Sequence, residues 1–364
     1  MIHCYYTTIL IMPNFLINTD KKLSNISDDL INSKILGVDT EFIRESTYYP
    51  QLALIQFATK YNNYIVDVTA IKSDGIIKDV LTNDSIVKVL HSARQDLETI
   101  HCYFRHFPIN IFDTQIAHNL TSSLVNPSYS SLVKKYFSVE LKEGSWRTDW
   151  LKRPLTDEKI EYAANDVNYL IDLSHLYQEQ LKELGRLDWF KEEQDKELSI
   201  KSIVTEPSLA WKKITIPLSL NDNEIDTLKI LASWRERTAV TNNIPKKWIL
   251  TDGELIKFSC AKIDEFHNLS SNIKNRKFFD YKDDLFITIS NKKSISDKRK
   301  NIDMNTYNKL INKCNETLIQ ISQDYDLSPS LIANKRDIDY FSRGIKEIKF
   351  LRGWRFKIFG KLVQ

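Results

Sequence analysis

The octapeptide Ile35-Leu36-Gly37-Val38-Asp39-Thr40-Glu41-Phe42, ILGVDTEF, decides the fold. It reads as a core strand with two carboxylates set into it. Charged residues are rarely buried without partners, and a lone buried carboxylate is costly. In a strand, residues i and i+2 share a face, so Asp39 and Glu41 project together while Val38 and Thr40 point the other way. Two adjacent carboxylates repel, and keeping both ionised calls for a positive partner. A divalent cation such as Mg²⁺, which takes carboxylate oxygens and water, is the simplest. The same Asp-x-Glu spacing recurs at Asp195 and Glu197 and at Asp252 and Glu254, in charged, non-strand contexts that read as surface. The apolar setting distinguishes the first pair.

Working outward, PQLALIQFA (50–58) and NYIVDVT (63–69) are apolar and β-branched, with a polar turn at 60–63. Together with the opening stretch they predict a three-strand meander. A helix over 74–81 and a strand over 85–90 follow. Ser92-Ala-Arg-Gln95 has the form of a capping box, predicting a helix from Ala93 to Phe104. A short strand over 109–114 leads into helix, residues 128–138 read as helical, and 141–156 as a loop. A long helix is expected from Asp157 to Leu184, with Thr156 as its N-cap and Asp157 and Glu158 in the favourable first turn. Strands first, then strands alternating with helices, imply an α/β domain built on a mixed five-stranded sheet with flanking helices.

Two isolated acids fit this frame. Asp96 sits one turn inside the helix that follows a strand, where the helix dipole alone would stabilise it. Tyr162 and Asp166 are four apart, hence on one helical face, and Ala163 and Ala164 let that helix lie close to a sheet. Each feature alone is as readily packing as chemistry.

The composition sets the outer bounds. The chain has 364 residues, 42% of them hydrophobic, which suits a soluble globular protein of two or three domains. Only 8 glycines and 9 prolines predict short linkers and abundant helix. Cys4, Cys102, Cys260 and Cys314 lie far apart with no CxxC pair, as in reduced thiols of a cytoplasmic protein. The apolar start lacks a basic n-region and a small-residue cleavage site and is interrupted by Pro13 and Asn14. That argues against a signal peptide and against a membrane span. Met12, where the domain pattern begins, is a candidate start. The net charge of +3 is uneven: residues 1–200 carry 21 Lys+Arg against 28 Asp+Glu, and residues 201–364 carry 30 against 20. An acidic front half can collect metal ions and a basic back half phosphates.

From Glu192 the composition changes, and everything after Leu220 reads as helical apart from a basic linker over 290–302. The expected domains are therefore 12–195, 210–290 and 302–364, one α/β followed by two small all-α. His91, His101, His106 and His118 show no ligand spacing and read as structural. Trp234, Trp248 and Trp354 read as core anchors of the helical part. Arg235, Arg237, Lys246 and Lys247 flank two of these tryptophans and are the expected phosphate contacts of the basic half.

Taken in chain order, strand DTE, helix-start Asp and helix YxxxD resemble the DEDD exonuclease superfamily, which has the ribonuclease H-like fold. A tyrosine four residues before the last acid marks its tyrosine branch; the histidine branch places its base five before, where this chain has Glu161. The longer strings VDTEFIRESTYYPQLALIQ, HSARQDLETI, SLVKKYF, TDWLKRPLT and YAANDVNYL resemble the ribonuclease D family over residues 30–185. LASWRERTAVTNNIPKKWILTD (231–252) is similar to a helical nucleic-acid-binding (HRDC) domain, and 327–341 with 350–363 to a more divergent copy. The family pattern has a lysine about where Glu143 stands, with Lys142 one place earlier. The stretch 264–300 matches only loosely.

The resemblance implies a 3′–5′ exoribonuclease. Asp39, Glu41, Asp96 and Asp166 would bind two divalent ions, Mg²⁺ or Mn²⁺, and Tyr162 would orient the attacking water, its ordinary pKa of about 10 being too high for a base at neutral pH. The implied partners are tRNA precursors and other RNA with free 3′ ends, no membrane is implied, and a monomer is expected. Two other readings stay open: a DNA-directed exonuclease of the same superfamily, and a catalytically retired RNA-binding protein.

Overall fold

The computed structural model describes residues 12–142, 148–217, 219–262, 265–290 and 303–364. The first eleven residues, Glu143 and 291–302 of the expected basic linker lie outside them. Backbone contacts divide the described chain into two units. The first holds residues 12–43, 51–198 and 326–328; the second holds Arg44–Pro50 with the described parts of 199–325 and 329–364.

The first unit is built on one sheet of strands β1 (Asn14–Ile17), β2 (Ile35–Ile43), β3 (Gln51–Ala58), β4 (Asn63–Asp67), β5 (Val87–Leu90) and β6 (Ile111–Asp113). Their order is β1-β4-β3-β2-β5-β6. The predicted meander is β2, β3 and β4, paired antiparallel. β5 joins β2 in parallel, β6 joins β5 in parallel, and β1 joins β4 in parallel. The sheet thus has six strands, not five. The missed one, β1, is a four-residue edge strand set in place by β4, Asn14 opposite Asn63, rather than by any alternation of its own. β2 and β3 are interior strands, which is why β3 is buried along almost its whole length.

Helices α1 (Asp20–Asn25), α2 (Ser27–Ile31), α3 (Gly75–Thr82), α4 (Arg94–Phe104), α5 (Thr114–Asn119), α6 (Tyr129–Phe137), α7 (Asp157–Asn165), α8 (Leu170–Glu183) and α9 (Leu187–Glu197) complete the unit. Thr156 caps α7 by accepting from the Lys159 amide, as expected. The single long helix over 157–184 does not form: residues 166–169 break it. No glycine or proline marks the break. It is held by tertiary partners instead, the Tyr129 hydroxyl accepting from the Tyr169 amide at 2.9 Å and Asn168 accepting from the Asn63 side chain. Gly37 makes room for it. A Cβ there would lie 3.0 Å from the Val167 carbonyl oxygen and 3.3 Å from the Leu170 Cβ, so only glycine lets the broken segment lie on β2.

The second unit is helical, as read. Helix Asp222–Asn242 opens on a capping box of Asn221 and Glu224, and Asp252–Cys260 on one of Thr251 and Glu254, so the second Asp-x-Glu serves a helix start. A core of Leu228, Leu231, Trp234, Phe258, Phe266 and Phe278 lies among these helices. Tyr48, from the segment joining β2 to β3 in sequence, belongs to that core. Trp354 is also buried, but Trp248 is 37% exposed and is not among the buried core residues.

Candidate active site

β2 alternates as expected, so Gly37, Asp39 and Glu41 share the face on which the α7–α8 break lies. A register shift between Glu41 and Phe42 places Leu54 opposite the first and Leu52 opposite the second. Such bulges re-aim side chains near functional sites. Asp166, just past the end of α7, is lowered onto this face, with Tyr162 one turn before it hydrogen-bonded to its carboxylate. Asp39, Glu41 and Asp166 each offer a carboxylate oxygen, and these oxygens all lie within 4.8 Å of one another.

Asp96 stands outside that set of three. It sits in the first turn of α4, which packs on β2 and β3. Its carboxylate accepts a 2.5 Å hydrogen bond from the Thr40 hydroxyl. Thr40 lies between Asp39 and Glu41 on β2, and Asp96 is held close enough for its charge to act on both of them. The start of α4 differs from expectation. Ser92 adopts φ +60° and forms no capping box. Instead the Asp113 carboxylate, at the end of β6, accepts from the amides of Ser92 (3.2 Å) and Ala93 (2.8 Å) and from those of Gln115 (2.8 Å) and Ile116 (3.1 Å). One buried aspartate thus pins two helix starts and with them the place of Asp96.

The electrostatics follow from this packing. Burial, then the charges of Asp96, Asp166 and Glu41, push the Asp39 carboxyl well above its ordinary range. Glu41 rises for the same reasons, burial first and then Asp166 and Asp96. Burial raises Asp96 to about 7 against the opposing Thr40 hydrogen bond, and raises Asp166 to about 7 against the Tyr162 hydrogen bond. Burial, then the three acids Asp166, Glu41 and Asp39, lifts the Tyr162 phenol above its usual value, so it keeps its proton. Four crowded acids, Asp96 buried and the other three half-buried, with no lysine or arginine paired to them among the described residues, form a donor set of hard oxygens. That set suits a hard divalent cation.

The other expected residues divide. His91 bonds Thr114 and the Pro127 carbonyl, His118 bonds the Tyr177 hydroxyl and His106 the Phe104 carbonyl, while a buried ring nitrogen of His101 and one of His118 have no partner. Arg235 does not present its charge to solvent: it is buried, donating to the Leu250 carbonyl and pairing with Asp252 at 2.7 Å. Lys246 is half-buried against Glu236 at 3.2 Å. Arg237 and Lys247 are exposed. Two residues escaped the sequence reading. Tyr129 lies deep beside the cluster, its phenol raised by burial and by Asp166 and Asp39 among others. Gln56 lies opposite Asp39 in the register. Nothing local marks Tyr129, whereas Gln56 is a polar residue inside an otherwise apolar strand, a signal that was there to be read.

Residues 14–182 match a family model described as 3′–5′ exonuclease. The chain is similar to a ribonuclease D of Bartonella henselae, 32% identical over 91% of this chain and 84% of the relative. It is likewise similar to a ribonuclease D of Sphingobium indicum, 30% identical over 95% and 92%. Among solved structures it resembles Escherichia coli RNase D, described as an exoribonuclease involved in structured RNA processing, with a TM-score of 0.81, 26% identity and 97% and 98% coverage.

Proposed function

This chain belongs to the ribonuclease D family and is a 3′–5′ exoribonuclease, and on that premise we propose how its residues work and which RNA they trim. The observation that carries the proposal is the meeting of Asp39, Glu41 and Asp166 at one face of β2, with Asp96 held close by. The four acids hold two divalent ions, Mg²⁺ or Mn²⁺, with Asp39 central because it neighbours all the others. When bound, the ions lower the pKa of a water and offset charge on the leaving 3′ oxygen. Tyr162, proton-bearing and anchored on Asp166, orients the attacking water by hydrogen bond rather than deprotonating it. Thr40 and Asp113 hold Asp96 in place. Each turnover releases a nucleoside 5′-monophosphate and leaves the RNA one nucleotide shorter.

The proposed substrate is the 3′ trailer of tRNA precursors, together with other RNA bearing a free 3′ end. Contacts away from the chemistry fall to the basic half, with exposed Arg237 and Lys247 on phosphates and exposed Trp248 available to stack on an unpaired base. We keep the division of that half into two helical domains, 210–290 and 302–364. The protein is proposed to act as a cytoplasmic monomer. Cys260 and Cys314 are free thiols, and among the described residues no helix is long and apolar enough to cross a membrane.

The test is a time course on a 5′-labelled, 3′-extended tRNA transcript with Mg²⁺ and with EDTA. A metal-dependent ladder shortening from the 3′ end is expected. An unchanged band with folded protein and metal present would refute the tRNA assignment, and matched RNA and DNA strands would then show which polymer the site accepts.

A further inference from the structure

Gln56 lies in β3 with its side chain fully buried, and neither its amide nitrogen nor its amide oxygen has a hydrogen-bond partner. Leaving both ends of a buried amide unpaired is costly, and such groups are rare in folded proteins. Its position is not arbitrary. Gln56 is the residue directly opposite Asp39 across the antiparallel β2–β3 pair. Directly opposed residues share a face, with Cβ atoms about 4.5–5.5 Å apart. The amide therefore stands on the face of Asp39, Glu41 and Asp166. On its other flank β4 offers Ile65, which has no polar side-chain atom. The nearest diagonal neighbour there, Asn63, has its amide nitrogen engaged with Asn14 and Asn168, while its amide oxygen, like both ends of Gln56, is buried without a partner.

We infer that Gln56 is a positioning residue for the acid cluster, its amide N–H donating to the Asp39 carboxylate that holds a divalent cation. The inference rests on the metal reading proposed above and deepens it. The donor has no partner elsewhere, and the carboxylate directly across the strand pair is the acceptor its position offers. Partners of this kind fix the orientation of metal-ligating carboxylates, and losing one costs about 10–100-fold in metal affinity or activity. Glutamine suits the place because it donates without adding a fifth charge to a site already crowded with four.

The test is a MnCl₂ titration of the full chain at pH 7.5, followed by thermal unfolding, for wild type, Gln56→Met and Gln56→Leu. Both substitutions remove the stranded amide and keep an apolar side chain of similar bulk. The metal-free Tm of either is expected at or above that of wild type, since replacing an unpaired polar group by an apolar one is neutral or stabilising. The Mn²⁺ concentration at half-maximal stabilisation is expected to rise about 10-fold or more. A purely structural amide would alter the metal-free Tm and leave that midpoint alone. Two variants guard against one that packs badly, and a raised midpoint in whichever folds supports the inference. A wild-type response matched by the variants overturns this inference alone. A wild type with no Mn²⁺ response overturns the metal reading and this inference with it.

Discussion

Buried charge is handled in opposite ways in the two units. In the helical unit, Glu236 is 1% exposed, yet it accepts from the Tyr48 hydroxyl at 2.6 Å and pairs with Lys246 at 3.2 Å. Arg235 is paired with Asp252, and Arg343 with Asp339. In the α/β unit, Asp39, Glu41, Asp96 and Asp166 crowd one strand, and among the described residues no lysine or arginine forms an ion pair with any of them. The same unit pairs acids readily elsewhere: Asp67 meets Arg153 at 2.6 Å, and its carboxyl is held below the usual range by those hydrogen bonds despite burial. Compensated charge builds the fold. Uncompensated charge, kept at a cost in stability, marks the place where a cation from outside completes the site.

The largest effect should come from the centre of the uncompensated set. Asp39→Asn is expected to lower kcat by about 10³-fold, the equivalent of about 4 kcal/mol of charge stabilisation, while the metal-free protein melts no lower than wild type. Single-turnover assays and circular dichroism check the two halves of that statement. Substantial residual cleavage would remove the site assignment.

The pH dependence sharpens the contrast further. Asp166 titrates at about 7 in the fold, against about 3.9 in an unfolded chain. Between those values the folded state holds the extra proton, so this group's contribution is complete below the lower value and is lost as pH rises through the upper one. Metal-free wild type should therefore lose stability from pH 5 to 7.5 relative to Asp166→Asn, and added Mn²⁺ should stabilise wild type more at the higher pH. Equal melting shifts in the two proteins would contradict the burial argument.

The compensated side makes a prediction of the opposite kind. Glu236→Ala leaves Lys246 and the Tyr48 hydroxyl without their acceptor, and is expected to cost about 1–3 kcal/mol of stability, measured by urea unfolding. Its Mn²⁺ midpoint should stay where wild type has it. A shifted midpoint would mean that the two kinds of charge are not separate.

How much of this was legible follows from where each determinant lies. Asp39 and Glu41 could be read because strand periodicity and an apolar setting are local. Tyr162 and Asp166 could be read because four-residue spacing survives the helix break between them and α8. The break itself was hidden, since Tyr129, 40 positions away from Tyr169, holds it. Asp113 was hidden for the same reason: it caps a helix that begins some 20 residues earlier. β1 borrows its strand from β4. Burial of Arg235 and exposure of Trp248 reversed expectation, because an amphipathic pattern says that a face is buried without saying which residue at its margin goes in. The segment Arg44–Pro50 could not be assigned at all from sequence, since it lies between two strands of one unit and packs with the other.

The smallest expected effect tests the exposed cations. Arg237→Gln with Lys247→Gln removes two charges that no buried acid claims, unlike Arg235 or Lys246. If they meet phosphates, the double variant should raise KM for a 3′-extended tRNA several-fold and leave kcat unchanged, the pattern expected when uniform binding is weakened. The slope of log KM against log salt should fall by about 2, one for each phosphate no longer neutralised. Cleavage of a short oligonucleotide that needs only the acid cluster should not change. An unaltered salt slope would show that these two residues, although free to meet RNA, do not, and the positive half of the comparison would then need other residues, with Trp248→Ala the next to measure.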